Sequence, residues 1–195
     1  MPTRAIFLDR DGVISVNRKD YVKTWDEFVF LPRAFDALQK LAASDFLIIV
    51  TTNQSAVGRG VMTQATLDGI HARMLATIRA RGGRIDAIYF CPHAPEENCD
   101  CRKPRTGMYR RAAEKFAIDC ARSYVIGDAK EDVQAAQSIG AEPILVQTGR
   151  GEEHGNWLAV NGNSRFQVAD DLMDAVMWIE KREGRGRWSE RVELE

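Results

Sequence analysis

The sequence predicts an α/β domain built on a doubly wound parallel sheet. Three observations lead there. Short apolar runs recur along the chain, each run stops at a polar or small residue, and helix-patterned stretches lie between the runs. The runs are β-branched and nearly continuous, as expected of strands buried on both faces.

In chain order, the first run covers 5–9 and ends on Asp9. The segment 15–32, with Tyr21, Trp25 and Phe28, is long for a strand-to-helix connection and reads as a loop or flap. A helix over 33–43 and a strand over 46–52 follow. Over 64–81, Leu67, Ile70, Met74, Leu75 and Ile78 keep the three-and-four spacing of one helical face. A strand over 85–91 leads into a second irregular stretch, 91–105, which carries most of the cysteines. Next come a helix over 107–117, a strand over 124–128, a helix over 131–139 and a strand over 143–147. A weaker strand over 165–169 precedes a last helix over 172–183. Residues 1–183 thus form one domain. The charged tail 184–195, rich in Gly and Arg, is expected to be loosely held.

Composition excludes several partners. The 195 residues are 45% hydrophobic, enough for one real core. Lys plus Arg number 27 against 28 Asp plus Glu, a net charge of −1, which argues against a nucleic-acid partner held by phosphate electrostatics. No apolar run approaches the ~20 residues of a membrane span, and no secretory signal opens the chain. The expectation is a cytoplasmic protein, a monomer, with no membrane partner.

In open α/β sheets the site lies at the carboxyl ends of the strands, and chemically capable residues sit where the runs stop. Asp9-Arg10-Asp11-Gly12 closes the first strand, two carboxylates followed by a turn-permitting glycine. Alone this motif more often marks a solvated turn. Asp128, closing a neighbouring strand, changes the balance, because converging carboxylates repel unless a cation sits among them. An all-oxygen set suits Mg²⁺. Thr52 and Lys103 supply a hydroxyl and an ammonium able to hold phosphoryl oxygens. Asp132, one helical turn beyond Asp128, reads equally as a supporting group or as a helix N-terminal charge.

Cys91, His93, Cys99 and Cys101 offer four ligands of the types found in closed tetrahedral zinc sites. With no open position the metal would be structural, folding the loop that presents Arg102 and Lys103. Cys120 stands apart and reads as a small buried hydrophobe.

Taken together, Leu-Asp9-x-Asp11-Gly, Thr52, Lys103 and Gly-Asp128-x-x-x-Asp132 resemble the four motifs of the haloacid dehalogenase superfamily of phosphatases, in its order, over 5–149. The resemblance implies Asp9 as nucleophile, Asp11 as general acid and base, and Mg²⁺ held by Asp9, Asp128 and the backbone carbonyl of Asp11. It also implies Thr52 and Lys103 on the phosphoryl oxygens. The links from Asp11 to Arg33 and from Asn53 to Arg84 are too short for a large cap domain. The cluster beside Arg-Lys-Pro resembles a zinc-loop group that includes heptose bisphosphate and histidinol-phosphate phosphatases. Asp20-Tyr21-Val22 and Asn53-Gln54-Ser55 through Arg59-Gly60 are similar to the heptose enzymes, whereas the short cysteine loop is similar to the histidinol enzymes. Ala129 departs from the Lys that many heptose enzymes place after the motif-four Asp.

The expected ligand is therefore a small phosphorylated sugar, its second phosphate and hydroxyls met by Asn53, Gln54, Ser55, Arg59 and Arg102. Asn17, Asp20 and Tyr21 would add contacts, although the Asp20 carboxylate opposes an anion. Histidinol phosphate is the alternative substrate, and a non-catalytic zinc-loop binding module is a remote third reading.

Overall fold

The computed structural model describes residues 3–163, 165–184 and 188. Six parallel strands lie in one sheet: β1 (Ala5–Leu8), β2 (Leu47–Asn53), β3 (Ala87–Cys91), β4 (Tyr124–Gly127), β5 (Glu142–Val146) and β6 (Gln167–Ala169), in the order β3-β2-β1-β4-β5-β6. The order reverses between β1 and β4, where Leu8 pairs with Ile126, and the Asp9 N–H prolongs the ladder to the Ile126 carbonyl at 2.9 Å. That reversal opens the crevice where such sheets bind ligands. It puts Asp9 and Asp128 side by side.

Alternation along each strand divides the core between the two faces. Ile6, Leu8, Ile48, Val50, Ile126 and Ile144 face α1 (Ala34–Ala42), α2 (Gln64–Ala80) and α6 (Leu172–Glu183). Ala5, Phe7, Ile49 and Val125 face α3 (Gly107–Phe116) and α4 (Lys130–Ile139). Because both faces are covered, the strands carry no polar stripe. Thr63 caps α2 by accepting from Thr66 N at 3.1 Å, and Asp171 caps α6 by accepting from Asp174 N at 3.0 Å.

The sequence pattern leaves one helix unassigned. Gly151–Val160 forms α5, which packs Leu158 against Leu145 and Val133. Two glycines and an asparagine give this segment poor intrinsic helicity, so its packing sustains it.

The segment 15–32 is a folded flap, joined to itself by the Ser15–Phe30 bridge and filled by Trp25 stacked on Phe28 at 5.2 Å. Cys120 is half-buried against the second face, with a free thiol. Of the expected tail, only Gly184 and Trp188 are among the described residues, and Trp188 Nε1 donates to the Lys40 carbonyl at 3.0 Å. No described helix is long and apolar enough to cross a membrane.

Candidate active site

The strand ends converge on an open cleft of about 1110 Å³, lined by Asp9, Asp11, Thr52 and Lys103 among others. Asp9 and Asp128 are buried, and one carboxylate oxygen of each, Oδ1, lacks any hydrogen-bond partner. Carboxylate oxygens of Asp9, Asp128 and Asp132 lie within 4.8 Å of one another. Burial, and then the Asp9 charge, pushes the Asp128 carboxyl up to about 6. Buried carboxylate oxygens that accept no hydrogen bond are costly, and a hard divalent cation is a group that would satisfy them.

Two glycines make room. Gly12 (φ 89°) and Gly149 (φ 62°) both press on Asp128, and a Cβ at either would overlap its carboxylate. Asp128 Oδ2 accepts from Arg150 N at 2.9 Å, and the Arg150 guanidinium lies 3.5 Å from Oδ1.

Lys103 is buried between anions. Its Nζ lies 2.5 Å from Asp132 Oδ1 and 3.0 Å from Asp9 Oδ1, and it donates to the Thr51 carbonyl at 2.8 Å. Burial alone would favour the neutral amine, but Asp132 and Asp9 outweigh it and hold the pKa above the ordinary lysine value. Asp132 also accepts from Ala129 N at 3.1 Å, so it serves both as ion-pair partner and as helix N-terminal cap. Asn53 clamps the Lys103 backbone, accepting from its N at 3.0 Å and donating to its carbonyl at 3.3 Å.

Thr52 Oγ1 accepts from Gln54 Nε2 at 2.9 Å, which leaves the hydroxyl proton available to an incoming oxygen. The Asp11 carboxylate lies outside the three-aspartate cluster. It accepts from Arg10 Nη2 at 2.8 Å, Gln54 Nε2 at 2.8 Å and Ser15 Oγ at 3.2 Å.

A family model described as HAD-hydrolase-like matches residues 100–175. A D-glycero-beta-D-manno-heptose-1,7-bisphosphate 7-phosphatase of Pseudomonas putida is 44% identical over 149 residues, 76% of this chain and 85% of that protein. The Neisseria meningitidis enzyme of the same name is 38% identical over 180 residues, 90% of this chain and 94% of its own. The chain belongs to the haloacid dehalogenase-like hydrolases. The crystal structure of D,D-heptose 1,7-bisphosphate phosphatase from B. bronchiseptica, complexed with magnesium and phosphate, superposes with a TM-score of 0.86 at 38% identity, covering 92% of this chain and 99% of that one.

Beside the hydrolase centre, the loop after β3 gathers a second cluster. Cys91 Sγ is 3.4 Å from Cys99 Sγ and 3.6 Å from His93 Nδ1, while Cys101 Sγ is 3.4 Å from Cys99 Sγ and 3.3 Å from His93 Nδ1. Zinc–sulfur bonds of about 2.3 Å in a tetrahedron set ligand edges of about 3.8 Å. The cysteines are free thiols, too far apart for disulfides. The four residues could hold a structural zinc.

On the hydrolase rim, Asn17, Tyr21, Ser55, Arg59 and Arg102 line the cleft, together with Asn53 and Gln54. Asp20 is not among the lining residues. It is paired with Lys23 at 2.6 Å and Arg18 at 3.0 Å, which draw its carboxyl down to about 2. Arg59 Nη2 is paired with Glu96 at 3.2 Å, whereas Arg102 Nη1 is buried without a partner. The sequence reading did not name Arg150, Glu131, Glu152 or Glu153, which line the opposite wall at the starts of α4 and α5. The unassigned helix α5 hid three of them. Only the strand-end rule applied to β5 pointed that way.

Proposed function

We propose that this chain is a Mg²⁺-dependent phosphatase that hydrolyses the C7 phosphate of heptose 1,7-bisphosphate through an aspartyl-phosphate. The observation that carries the chemistry is the pair of buried oxygens that accept no hydrogen bond, Asp9 Oδ1 and Asp128 Oδ1, beside the Lys103 ammonium. Asp9, Asp128 and the Asp11 carbonyl would hold Mg²⁺, which when bound offsets charge between nucleophile and phosphate.

The residues divide the work as follows. An Asp9 oxygen attacks phosphorus, and the bond from phosphorus to the C7 oxygen breaks. Asp11 gives its proton to that oxygen, then takes one from the water that cleaves the aspartyl-phosphate, so inorganic phosphate leaves and both aspartates return to their starting states. Thr52 and Lys103 stabilise the phosphoryl oxygens. Arg102, Arg59, Gln54 and Ser55 meet the rest of the substrate, and Asn53 holds Lys103 in place from the cleft wall.

The heptose relatives favour a sugar bisphosphate over histidinol phosphate. The rim carries both signs of charge, with Arg59 and Arg102 for a second phosphate and Glu131, Glu152 and Glu153 able to meet an ammonium. Phosphate release with Mg²⁺ from the two compounds, compared as kcat/KM, tests the reading. Preference for histidinol phosphate would replace the substrate and keep the chemistry.

A further inference from the structure

We propose that His71 and Arg10 are positioning residues for Asp11: His71 fixes the Arg10 guanidinium, and Arg10 fixes the Asp11 carboxylate toward the departing sugar oxygen. The proposal rests on the acid role given to Asp11 above. His71 touches no reacting atom.

Arg10 is fully buried, among the largest buried side chains of the protein. A guanidinium away from water needs an acceptor for each face of its fork. Nε lies 3.1 Å and 3.2 Å from the two Asp11 oxygens, and Nη2 lies 2.8 Å from Asp11 Oδ2 and 3.0 Å from Gln54 Oε1. Nη1 has a different neighbour, His71 Nε2, at 3.1 Å. Arginine only donates, so His71 Nε2 must accept, and the ring is neutral with its proton on Nδ1. Burial, and then the Arg10 charge, favours this neutral form by pushing the His71 pKa down to about 3.

His71 reaches this point from the buried face of α2, beside Leu67, Ile70, Met74 and Ile78. An apolar side chain would serve packing there. Instead the helix presents one acceptor to the one guanidinium edge that Asp11 and Gln54 leave uncovered. The Phe90 ring lies 5.5 Å from His71, the Phe28 ring lies 5.8 Å from the Arg10 guanidinium, and both polar groups are buried. Without the acceptor, Nη1 would be left unpaired, and the fork would turn and take the Asp11 carboxylate with it.

The leaving group separates this role from a structural one. The sugar alkoxide needs a proton as it departs, whereas p-nitrophenolate does not. In addition, kcat/KM ends at the first phosphorus–oxygen cleavage, so the later water attack does not enter. With Mg²⁺, His71→Leu should lower kcat/KM ~10–10²-fold for heptose 1,7-bisphosphate and less than ~3-fold for p-nitrophenyl phosphate. His71→Gln, which keeps an acceptor, should recover most of the loss. If His71→Leu does not fold, Arg10→Lys carries the same test, since it keeps the charge and loses the fork. An equal loss with both esters, or no recovery in His71→Gln, overturns the proposal. Asp11→Asn distinguishes the two failures. Should it also lose equally with both esters, the acid role of Asp11 falls; should it discriminate while His71→Leu does not, only the positioning role falls.

Discussion

Lys103 Nζ stands 3.0 Å from Asp9 Oδ1, yet that oxygen accepts no hydrogen bond. The ammonium is also held by Asp132 at 2.5 Å and by the Thr51 carbonyl at 2.8 Å. These anchors matter because a lysine whose whole charge fell to Asp9 would quench the nucleophile with which it pairs. Lys103 can serve a phosphoryl oxygen only while Asp132 shares its charge.

Asp132→Asn should therefore do two kinds of damage. Removing one partner of a buried pair costs about 3 kcal/mol of stability, read as a lower urea midpoint with an unchanged slope. Turnover should fall at least ~10-fold as Lys103 leans on Asp9, about 1.4 kcal/mol of barrier. An unchanged kcat in the folded variant would remove Asp132 from the account.

The aspartates of the first strand end divide more sharply. Asp9→Asn removes the attacking charge and a metal ligand, so phosphate release should drop below detection even at saturating Mg²⁺. Asp11→Asn keeps the fold and should lose ~10²–10⁴-fold, the size of an acid–base contribution. Near-normal turnover by Asp9→Asn would sink the aspartyl-phosphate route.

The thiol cluster makes a compositional prediction. Protein purified without chelator should contain about one zinc per chain by elemental analysis. Cys101→Ser should lose the metal, and activity with it, because Lys103 lies two residues further along the same loop. Zinc-free, fully active protein would refute the site.

Much of this site was legible because a parallel sheet turns sequence punctuation into geometry. Where an apolar run stops, the chain has reached the sheet's edge, and Asp9, Thr52, Cys91 and Asp128 are such stops. Contacts between elements have no such signature. Nothing local says that His71, at a core position of α2, meets Arg10, or that Asp132 reaches back to Lys103 as well as capping its own helix. Helix α5 was hidden for another reason: Gly151 and Gly155 weaken its pattern, yet a Cβ at Gly155 would lie 3.2 Å from Leu145 Cδ2, so close packing restricts the residue there. The Arg59–Glu96 and Asp20–Lys23 pairs likewise change what the rim charges can do, and composition cannot reveal a pairing.

His71 also sets an acid limit on the fold. Its folded-state pKa of about 3 lies below the ordinary 6.5, so the folded protein binds fewer protons than the unfolded chain between those values. Stability is fully present above pH 6.5 and is lost as pH falls toward 3. Between pH 6.5 and 4.5 this group alone should remove about 2 kcal/mol. His71→Gln, which does not titrate, should lose that much less over the same interval in urea titrations. Equal losses would mean that the imidazole is not held neutral.

Substrate choice turns on which rim cation is free to act. Arg102 has a buried Nη1 without a partner, on the same loop as Lys103, whereas Arg59 is half-exposed and already paired with Glu96. An exposed pair of that kind is worth little in water, but a second phosphate must still compete with Glu96 for Arg59. Glu96 also acts on Arg102 through its charge, but its carboxylate accepts its hydrogen bond from Arg59. The preference in kcat/KM for heptose 1,7-bisphosphate over histidinol phosphate is expected to be at least ~10²-fold, about 2.7 kcal/mol. Arg102→Ala should erode that ratio more than Arg59→Ala, and both should change the rate with p-nitrophenyl phosphate less than they change the ratio. Glu96→Gln should free Arg59 and strengthen heptose bisphosphate binding, seen as a lower KM at unchanged kcat. A larger effect from Arg59→Ala than from Arg102→Ala would move the second phosphate to the Glu96 side of the cleft.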